Sequence, residues 1–114
     1  MRVLVCGSRH FQDYKLLKDI LDARDITTII HGAARGADSL AGRYGRETGK
    51  DVQDFPADWN KYGRSAGPIR NSEMLKRGNP DCVIAFRGPN SRGTQNMIDQ
   101  SKKAGIEVVV VDVS

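Results

Sequence analysis

The chain has 114 residues, of which 39% are hydrophobic and 28% are charged, and its formal net charge is +4. This length suits a single hydrophobic core, so we expect one domain over residues 1–114. The longest apolar run, residues 106–113, is interrupted by two acidic residues and is too short to span a bilayer, which excludes an integral membrane protein and favours an ordinary globular one.

The chain opens directly on a strand-like segment without the pattern of a signal peptide, and we therefore expect a cytoplasmic protein. Cys6 and Cys82 stand at the ends of apolar runs without metal-type spacing, which predicts two buried free thiols. The only two histidines, His10 and His31, and scattered carboxylates form no metal-binding motif. We expect neither a metal nor a resident cofactor.

Strands and helices alternate along the sequence. Apolar, β-branched runs predict strands at residues 2–6, 27–31, 82–86 and 106–113, and the less apolar segment DVQDF predicts a weaker strand at residues 51–55. Helical periodicity and capping residues predict helices from Asp13 to residue 24, from residue 37 towards Gly49, from Pro68 to near Gly78, and from a Thr94 cap to Gly105. This order is typical of an α/β fold, a Rossmann-like three-layer α/β/α domain with a five-stranded parallel sheet.

The segments that follow the first four strands are rich in glycine and arginine. They read GSRHFQD (7–13), GAARGAD (32–38), PADWNKYGRSAGPIRN (56–71) and RGPNSRGT (87–94). Because the carboxyl ends of parallel strands meet at one edge of a sheet, we expect these segments to form a shared ligand site. The connections at the opposite edge are plain turns.

The residue types in these segments suit a phosphate. Arginine binds phosphate through its planar fork, and helix N-termini, expected at Gly36 and at Gly93–Thr94, attract anions. Gly32 and Gly36 are expected to let a ligand approach the backbone. The predicted ligand-binding residues are Gly7, Ser8, Arg9, Gly32, Arg35, Gly36, Asp38, Asp58, Trp59, Arg70, Asn71, Gly88, Ser91, Gly93 and Thr94.

Two acidic residues and two aromatic residues of the same segments suit the rest of a nucleotide. Asp38 and Asp58 are acceptors for ribose hydroxyls, and Trp59 and Tyr62 are candidates to stack on a base. Structural roles remain as alternatives: Asp38 would also complement a helix dipole, and Trp59 would also anchor a loop against the core. His31 ends an apolar strand and is expected to be a core histidine rather than a base.

Several enzyme classes lack support in the sequence. There is no Walker lysine motif and no GxGxxG after the first strand, which argues against an ATPase and against an ordinary dinucleotide-dependent oxidoreductase. There is also no nucleophile elbow of the hydrolase type.

The motifs GSR, HGAARGAD, AGPIRN and GPNSRGT, in this order, resemble those of the SLOG superfamily, whose branches include DprA-like DNA-processing proteins and LOG-type nucleoside-phosphate phosphoribohydrolases. The stretch from Ala57 to Asn71 resembles the ADW…YG…AGP.RN pattern of the YspA-like branch. The resemblance spans nearly the whole chain. It implies a Rossmann-like fold that binds a small nucleotide-type ligand, a nucleoside monophosphate or an ADP-ribose-like molecule, at this edge of the sheet.

The LOG-type branch raises the question of catalysis. Its PGGxGTxxE motif carries a glutamate that assists cleavage of an N-glycosidic bond together with an arginine, whereas the matching stretch here has Met97, which cannot transfer a proton. Arg70 and Glu73 are the remaining catalytic candidates, and Glu73 is alternatively a solvated helix residue. We therefore expect a sensor or carrier, with an N-glycosidic-bond hydrolase as the alternative.

The DprA-like branch implies a different partner. A mildly basic edge and the Arg70–Asn71 pair are compatible with single-stranded nucleic acid, although one small domain offers a short binding track. A structural interaction module is a more remote alternative. Relatives of this fold form dimers, so a homodimer is a further expectation, and nothing in the sequence locates its interface.

Overall fold

The computed structural model covers residues 1–114 and contains the predicted sheet. Its strands are β1 (Arg2–Gly7), β2 (Thr28–His31), β3 (Asp51–Asp54), β4 (Cys82–Arg87) and β5 (Glu107–Asp112). They lie in the order β3-β2-β1-β4-β5, and every neighbouring pair is parallel. The predicted α/β class, with a Rossmann-like five-stranded parallel sheet, is confirmed. The strand order reverses between β1 and β4, and a ligand site is expected at such a point.

Helices cover both faces of the sheet. They are α1 (Tyr14–Asp22), α2 (Ala37–Glu47), α3 (Trp59–Tyr62), α4 (Ala66–Gly78) and α5 (Arg92–Lys103). Helices α1 and α2 pack on one face, and α4 and α5 pack on the other. None of the helices is both long enough and apolar enough to traverse a bilayer.

The core is built on the two central strands, β1 and β4. Successive side chains of β1 alternate between the faces, so that Val3 and Val5 contact the α1/α2 layer while Leu4 contacts the α4/α5 layer. Every residue from Val3 to Cys6 and from Cys82 to Phe86 is buried. Strands buried on both faces read as continuous apolar runs, which is the pattern that identified them in the sequence.

The predicted start of α1 is confirmed, whereas those of α4 and α5 differ from the structure. Asp13 caps α1 as predicted, because its Oδ1 accepts a hydrogen bond from the Leu16 amide at 3.1 Å. Helix α4 begins at Ala66, so Pro68 lies within the first turn, where a missing N–H leaves no hydrogen bond unmade. The prediction that Thr94 caps α5 is wrong: Ser91 is the N-cap, and Thr94 is buried in the first turn.

Further differences lie in the segment between β3 and α4. A loop is predicted there, but the structure contains the short helix α3 and one turn of 3-10 helix, Gly63–Ser65. Asp58 is the N-cap of α3 and accepts a hydrogen bond from the Lys61 amide at 3.0 Å. Single-turn helices have no apolar periodicity to reveal them, so this segment carried no helical signal.

The predictions for the cysteines and for His31 are confirmed. Cys6 and Cys82 are free and buried. His31 is buried, its Nδ1 accepts a hydrogen bond from the Ala33 amide at 3.0 Å, and burial lowers its pKa. It is a satisfied histidine at the end of β2.

Gly36 is the position where the fold tolerates only glycine. Its φ of 73° and ψ of −123° are strained for any other residue, and a Cβ there would lie 2.1 Å from the Ser8 carbonyl oxygen. Gly105 has a similar φ of 75°, but nothing lies within 4 Å of the position of its Cβ. Substitution of each glycine in turn therefore distinguishes the cost of backbone strain alone from the cost of strain together with a steric clash.

We expect Gly36→Ala to lower the free energy of unfolding by about 3 kcal/mol or more, because strain and a backbone clash add. Gly105→Ala, the control, meets strain alone and is expected to cost about 1–2 kcal/mol. Urea denaturation of both variants measures the difference. Equal losses would show that the contact with Ser8 does not constrain the loop.

Candidate functional site

A cleft of about 540 Å³ lies at the carboxyl ends of β1 and β4, between the loops that follow β1, β2 and β4, the first turns of α2 and α5, and the middle of α4. It brings together a large part of the predicted ligand-binding set. The predicted residues that line it are Gly7, Ser8, Arg9, Asp38, Arg70, Asn71, Ser91, Gly93 and Thr94. Three loops and helix α4, which are distant from one another in sequence, thus form one concave surface.

Other predicted residues lie outside this cleft. Gly32, Arg35, Gly36 and Gly88 belong to its loops but do not line it. Asp58 and Glu73 line a second cavity of about 330 Å³, which shares Arg70 with the first. Trp59 lines neither of the two cavities and is half exposed on α3.

Some lining residues were not predicted. They are Cys6, His10, Ala34, Met74, Pro89, Asn90 and Arg92. Their signals were partly available: Pro89, Asn90 and Arg92 stand within the glycine- and arginine-rich segment after β4. Cys6 was predicted to be buried; it is buried, as is Met74, and both also form part of the cleft wall.

The glycines of the loop after β2 serve a purpose different from the predicted one. A Cβ at Gly32 would lie 2.5 Å from Arg70 Nη1, and a Cβ at Gly36 would meet the Ser8 carbonyl. The protein's own groups, rather than a ligand, occupy the space beside these glycines. The Ala37 amide at the start of α2 also donates to the Ser8 carbonyl, at 3.2 Å, so this helix terminus is partly satisfied internally.

Gly93 differs from these glycines. Nothing lies within 4 Å of the position of its Cβ, and it stands in the first turn of α5, which contains no acidic residue. The unpaired N–H groups of a helix's first turn carry a partial positive charge and bind anions. The amino end of α5 is therefore the more open of the two helix termini that were predicted to attract an anion.

Arg70 and Asn71 connect the loops around the cleft. Arg70 Nη1 donates to the Gly32 carbonyl, and Arg70 Nε donates to Asn71 Oδ1 at 3.0 Å. Asn71 Nδ2 in turn donates to the Gly93 carbonyl at 3.2 Å and to Asn96 Oδ1 at 3.1 Å. Burial lowers the pKa of Arg70, and the nearby Asp38 opposes that shift. Arg70 remains a cation because an arginine in a protein does not lose its proton.

Asp38 is a buried carboxyl group at the start of α2. Its Oδ2 accepts hydrogen bonds from the amides of Gly32, at 2.9 Å, and Ala34, at 3.3 Å, and so fixes the loop after β2. Burial raises the pKa of Asp38, although the backbone hydrogen bonds and Arg70 act in the opposite direction. Asp38 therefore does more than complement a helix dipole.

The charges that face the cleft are mainly positive. Three arginines, Arg9, Arg70 and Arg92, line it together with one carboxylate, Asp38. Arg9 and Arg92 are exposed, and neither forms an ion pair with a carboxylate. Two uncommitted guanidinium groups and an accessible helix terminus make the cleft suited to an anion.

We expect the stability of Asp38→Asn relative to the wild type to increase as the pH rises from acid to neutral. The raised pKa means that folded Asp38 keeps its proton where the unfolded chain, near the ordinary value of 3.8, has lost it, so the wild type loses stability as the pH rises through this interval. Asparagine keeps an oxygen for the two amides and does not titrate.

Urea denaturation of both proteins at a series of pH values measures this difference. A difference in the free energy of unfolding that stays constant with pH would contradict a raised pKa for Asp38.

A sequence profile described as the YspA, cpYpsA-related SLOG family matches residues 1–62. The gene 61 protein of Mycobacterium phage D29 is 37% identical over 119 residues, covering 95% of this chain and 94% of that protein. DNA processing protein A (DprA) from Streptococcus pneumoniae has a similar fold, with a TM-score of 0.78 at 17% identity; the likeness covers 99% of this chain and 50% of that one, so this chain spans about half its length. The profile match and the phage relative show that the chain belongs to the YspA, cpYpsA-related SLOG family.

Proposed function

We propose that this chain binds a phosphate-bearing nucleotide or nucleotide derivative, such as a nucleoside monophosphate or an ADP-ribose-like molecule, in the cleft between β1 and β4. The observation that carries the proposal is the accessible amino end of α5 in a cleft with three arginines and one carboxylate. Membership of a SLOG family supports a nucleotide-type ligand.

The phosphate would lie at the first turn of α5. Gly93 leaves room for an oxyanion to reach the backbone, and Arg9 and Arg92 are free to form charge-assisted hydrogen bonds with it. Arg70, held in place by Gly32 and Asn71, supplies a fixed positive charge. Such preorganised cations bind without a large cost in side-chain entropy.

Hydroxyl groups add donors to this phosphate site. Ser8 Oγ and Ser91 Oγ accept hydrogen bonds from the amides of His10 and Gly88, each at 3.1 Å, so the hydroxyl protons remain available. Thr94 Oγ1 forms no hydrogen bond within the protein. Every fully buried polar side-chain atom in the structure has a hydrogen-bond partner, so this oxygen is not fully buried. Since Thr94 is 5% exposed and lines the cleft, its hydroxyl faces the cleft.

The dimensions of the cleft agree with this ligand class. Its volume of about 540 Å³ lies within the range of roughly 300–1,000 Å³ that small-molecule sites occupy. The second cavity adjoins it at Arg70 and is lined by Phe55 and Tyr62, which suits a ligand that extends beyond its phosphate.

We propose that the chain binds this ligand without cleaving it and acts as a sensor or carrier. Met97 is completely buried in the core, away from any reacting group. Glu73 lines the second cavity and lies 3.7 Å from Arg77 Nη1, so it stands apart from the phosphate site. A hydrolytic role for Arg70 and Glu73 would need a ligand that passes from one cavity to the other.

We expect Arg9→Ala/Arg92→Ala to retain the stability of the wild type without ligand, because both side chains are exposed and unpaired. Its affinity for the nucleotide should fall at least about tenfold for each lost charge-assisted contact. A thermal-shift panel of nucleoside mono-, di- and triphosphates, NAD and ADP-ribose measures this effect, since a ligand at about 100 times its Kd adds roughly 2.7 kcal/mol of stability.

Arg46→Ala, an exposed arginine at the far end of α2, removes a similar charge outside the cleft and serves as the control. Equal affinity in both variants would place the ligand elsewhere on the protein. The absence of a shift with every ligand in the panel would contradict the proposed function.

Single-stranded nucleic acid is a second candidate, favoured by one observation. Trp59 and Tyr62 are 50% and 40% exposed on α3, in a segment that also carries the exposed residues Lys61 and Arg64. Exposed aromatic side chains beside cations form stacking platforms for unpaired bases. The fold shared with DprA, a protein named for DNA processing, supports the same candidate.

If this candidate is correct, Trp59→Ala should weaken the binding of a short single-stranded DNA by about 1–3 kcal/mol, the usual contribution of a stacked base. The logarithm of the affinity should fall with the logarithm of salt concentration with a slope of about −0.7 for each contacted phosphate. Fluorescence anisotropy at several salt concentrations measures both effects. Binding of nucleotides without detectable binding of DNA would exclude this candidate.

A further inference from the structure

Asp38 carries the one carboxyl group in a cleft of donors. It is 5% exposed and is the only carboxylate among the residues that line the cleft. Its Oδ2 is taken by the amides of Gly32 and Ala34, whereas its Oδ1 forms no hydrogen bond within the protein. The two oxygens of this carboxylate therefore have different roles.

The free oxygen faces the cleft. Every fully buried side-chain oxygen or nitrogen in the structure has a hydrogen-bond partner. Asp38 Oδ1 has no such partner, so it is accessible from the surface. The accessible surface beside Asp38 is the cleft that it lines. An unpartnered carboxylate oxygen thus points into the same space as the amino end of α5.

The loop after β2 does not require a carboxylate at this position. An asparagine would accept the same two amide hydrogen bonds through one oxygen and would avoid the desolvation of a charge. A carboxylate close to an anion site also repels the anion. These two costs indicate that the second oxygen has a partner when the cleft is occupied, and that this partner donates a hydrogen bond.

We infer that Asp38 Oδ1 accepts a hydrogen bond from a sugar hydroxyl of the ligand, so that the cleft selects ribose phosphates over their deoxy counterparts. This inference rests on the proposed function, which places the phosphate at α5. A sugar hydroxyl is the hydrogen-bond donor nearest to a 5′-phosphate in a nucleotide. A site built to bind a hydroxyl discriminates strongly against the analogue that lacks it, because its acceptor is left unpaired.

The test compares AMP, GMP, CMP and UMP with their 2′,3′-dideoxy counterparts by isothermal titration calorimetry. In the wild type, a dideoxynucleotide should bind at least about tenfold more weakly than the ribonucleotide, as expected for a hydrogen bond to a charged group. In Asp38→Asn this preference should shrink markedly, because the side-chain amide that then faces the cleft cannot accept a hydrogen bond and can only donate an uncharged, weaker one to the hydroxyl oxygen. Single 2′-deoxy and 3′-deoxy analogues show which hydroxyl is bound.

Inorganic phosphate provides a second readout. Asp38→Asn removes a negative charge and should bind phosphate at least as tightly as the wild type, whereas a variant that merely disorders the loop would bind it more weakly. Weaker phosphate binding by Asp38→Asn would therefore contradict the inference.

The outcomes separate the inference from the proposed function. If the ribonucleotides and the dideoxynucleotides bind equally well to the wild type, the inference is overturned and the proposed function stands. If neither these nucleotides nor any ligand of the thermal-shift panel binds, both are overturned. The comparison in the wild type needs no variant, so the result does not depend on the folding of Asp38→Asn.

Discussion

The hydrogen bond from the Arg70 guanidinium to the Gly32 carbonyl holds the site together. It joins the loop after β2 to α4, and Asn71 extends the connection to the first turn of α5. Gly32 lacks a side chain because the guanidinium occupies the position that a Cβ would take. Arg70 is partly buried, so loss of its carbonyl partner would leave a partly desolvated donor unpaired, and this contact therefore helps to hold the loop and α4 together.

The electrostatics of the cleft follow from the same arrangement. Arg70 is fixed by the protein, while Arg9, in the loop after β1, and Arg92, the first residue of α5, are exposed and unpaired. Asp38 stands among these cations, and its burial would be unfavourable without the two amides and the nearby guanidinium. The cleft thus combines one fixed cation, two adaptable cations and one acceptor, an asymmetry that suits a ligand with an anionic end and a neutral polar end.

Much of the fold was predictable because most of the strands are continuous apolar runs and three of the helices, α1, α2 and α5, have a clear apolar periodicity. The shared edge of the sheet then followed from topology, since glycine and arginine accumulate after each strand. The role of a particular glycine could not be predicted, because Gly32 depends on an arginine 38 residues away. The same limit applies to Cys6 and Met74, since an apolar pattern marks burial but does not reveal that a buried side chain also borders a cleft.

The reversal of strand order between β1 and β4 has a consequence for how the chain responds to a ligand. Ser8, Arg9 and Asp38 precede the long β3–α4 connection, whereas Asn71, Gly93 and Thr94 follow it, and the family profile ends at residue 62, between these two groups. A bound molecule would contact residues on both sides of the β1–β4 pair. It would thereby couple the β3-β2-β1 portion of the sheet to the β4-β5 portion, which the backbone connects only once. Its binding energy would then resist the separation of these portions, and local opening between β1 and β4 would become rarer whenever the cleft is filled.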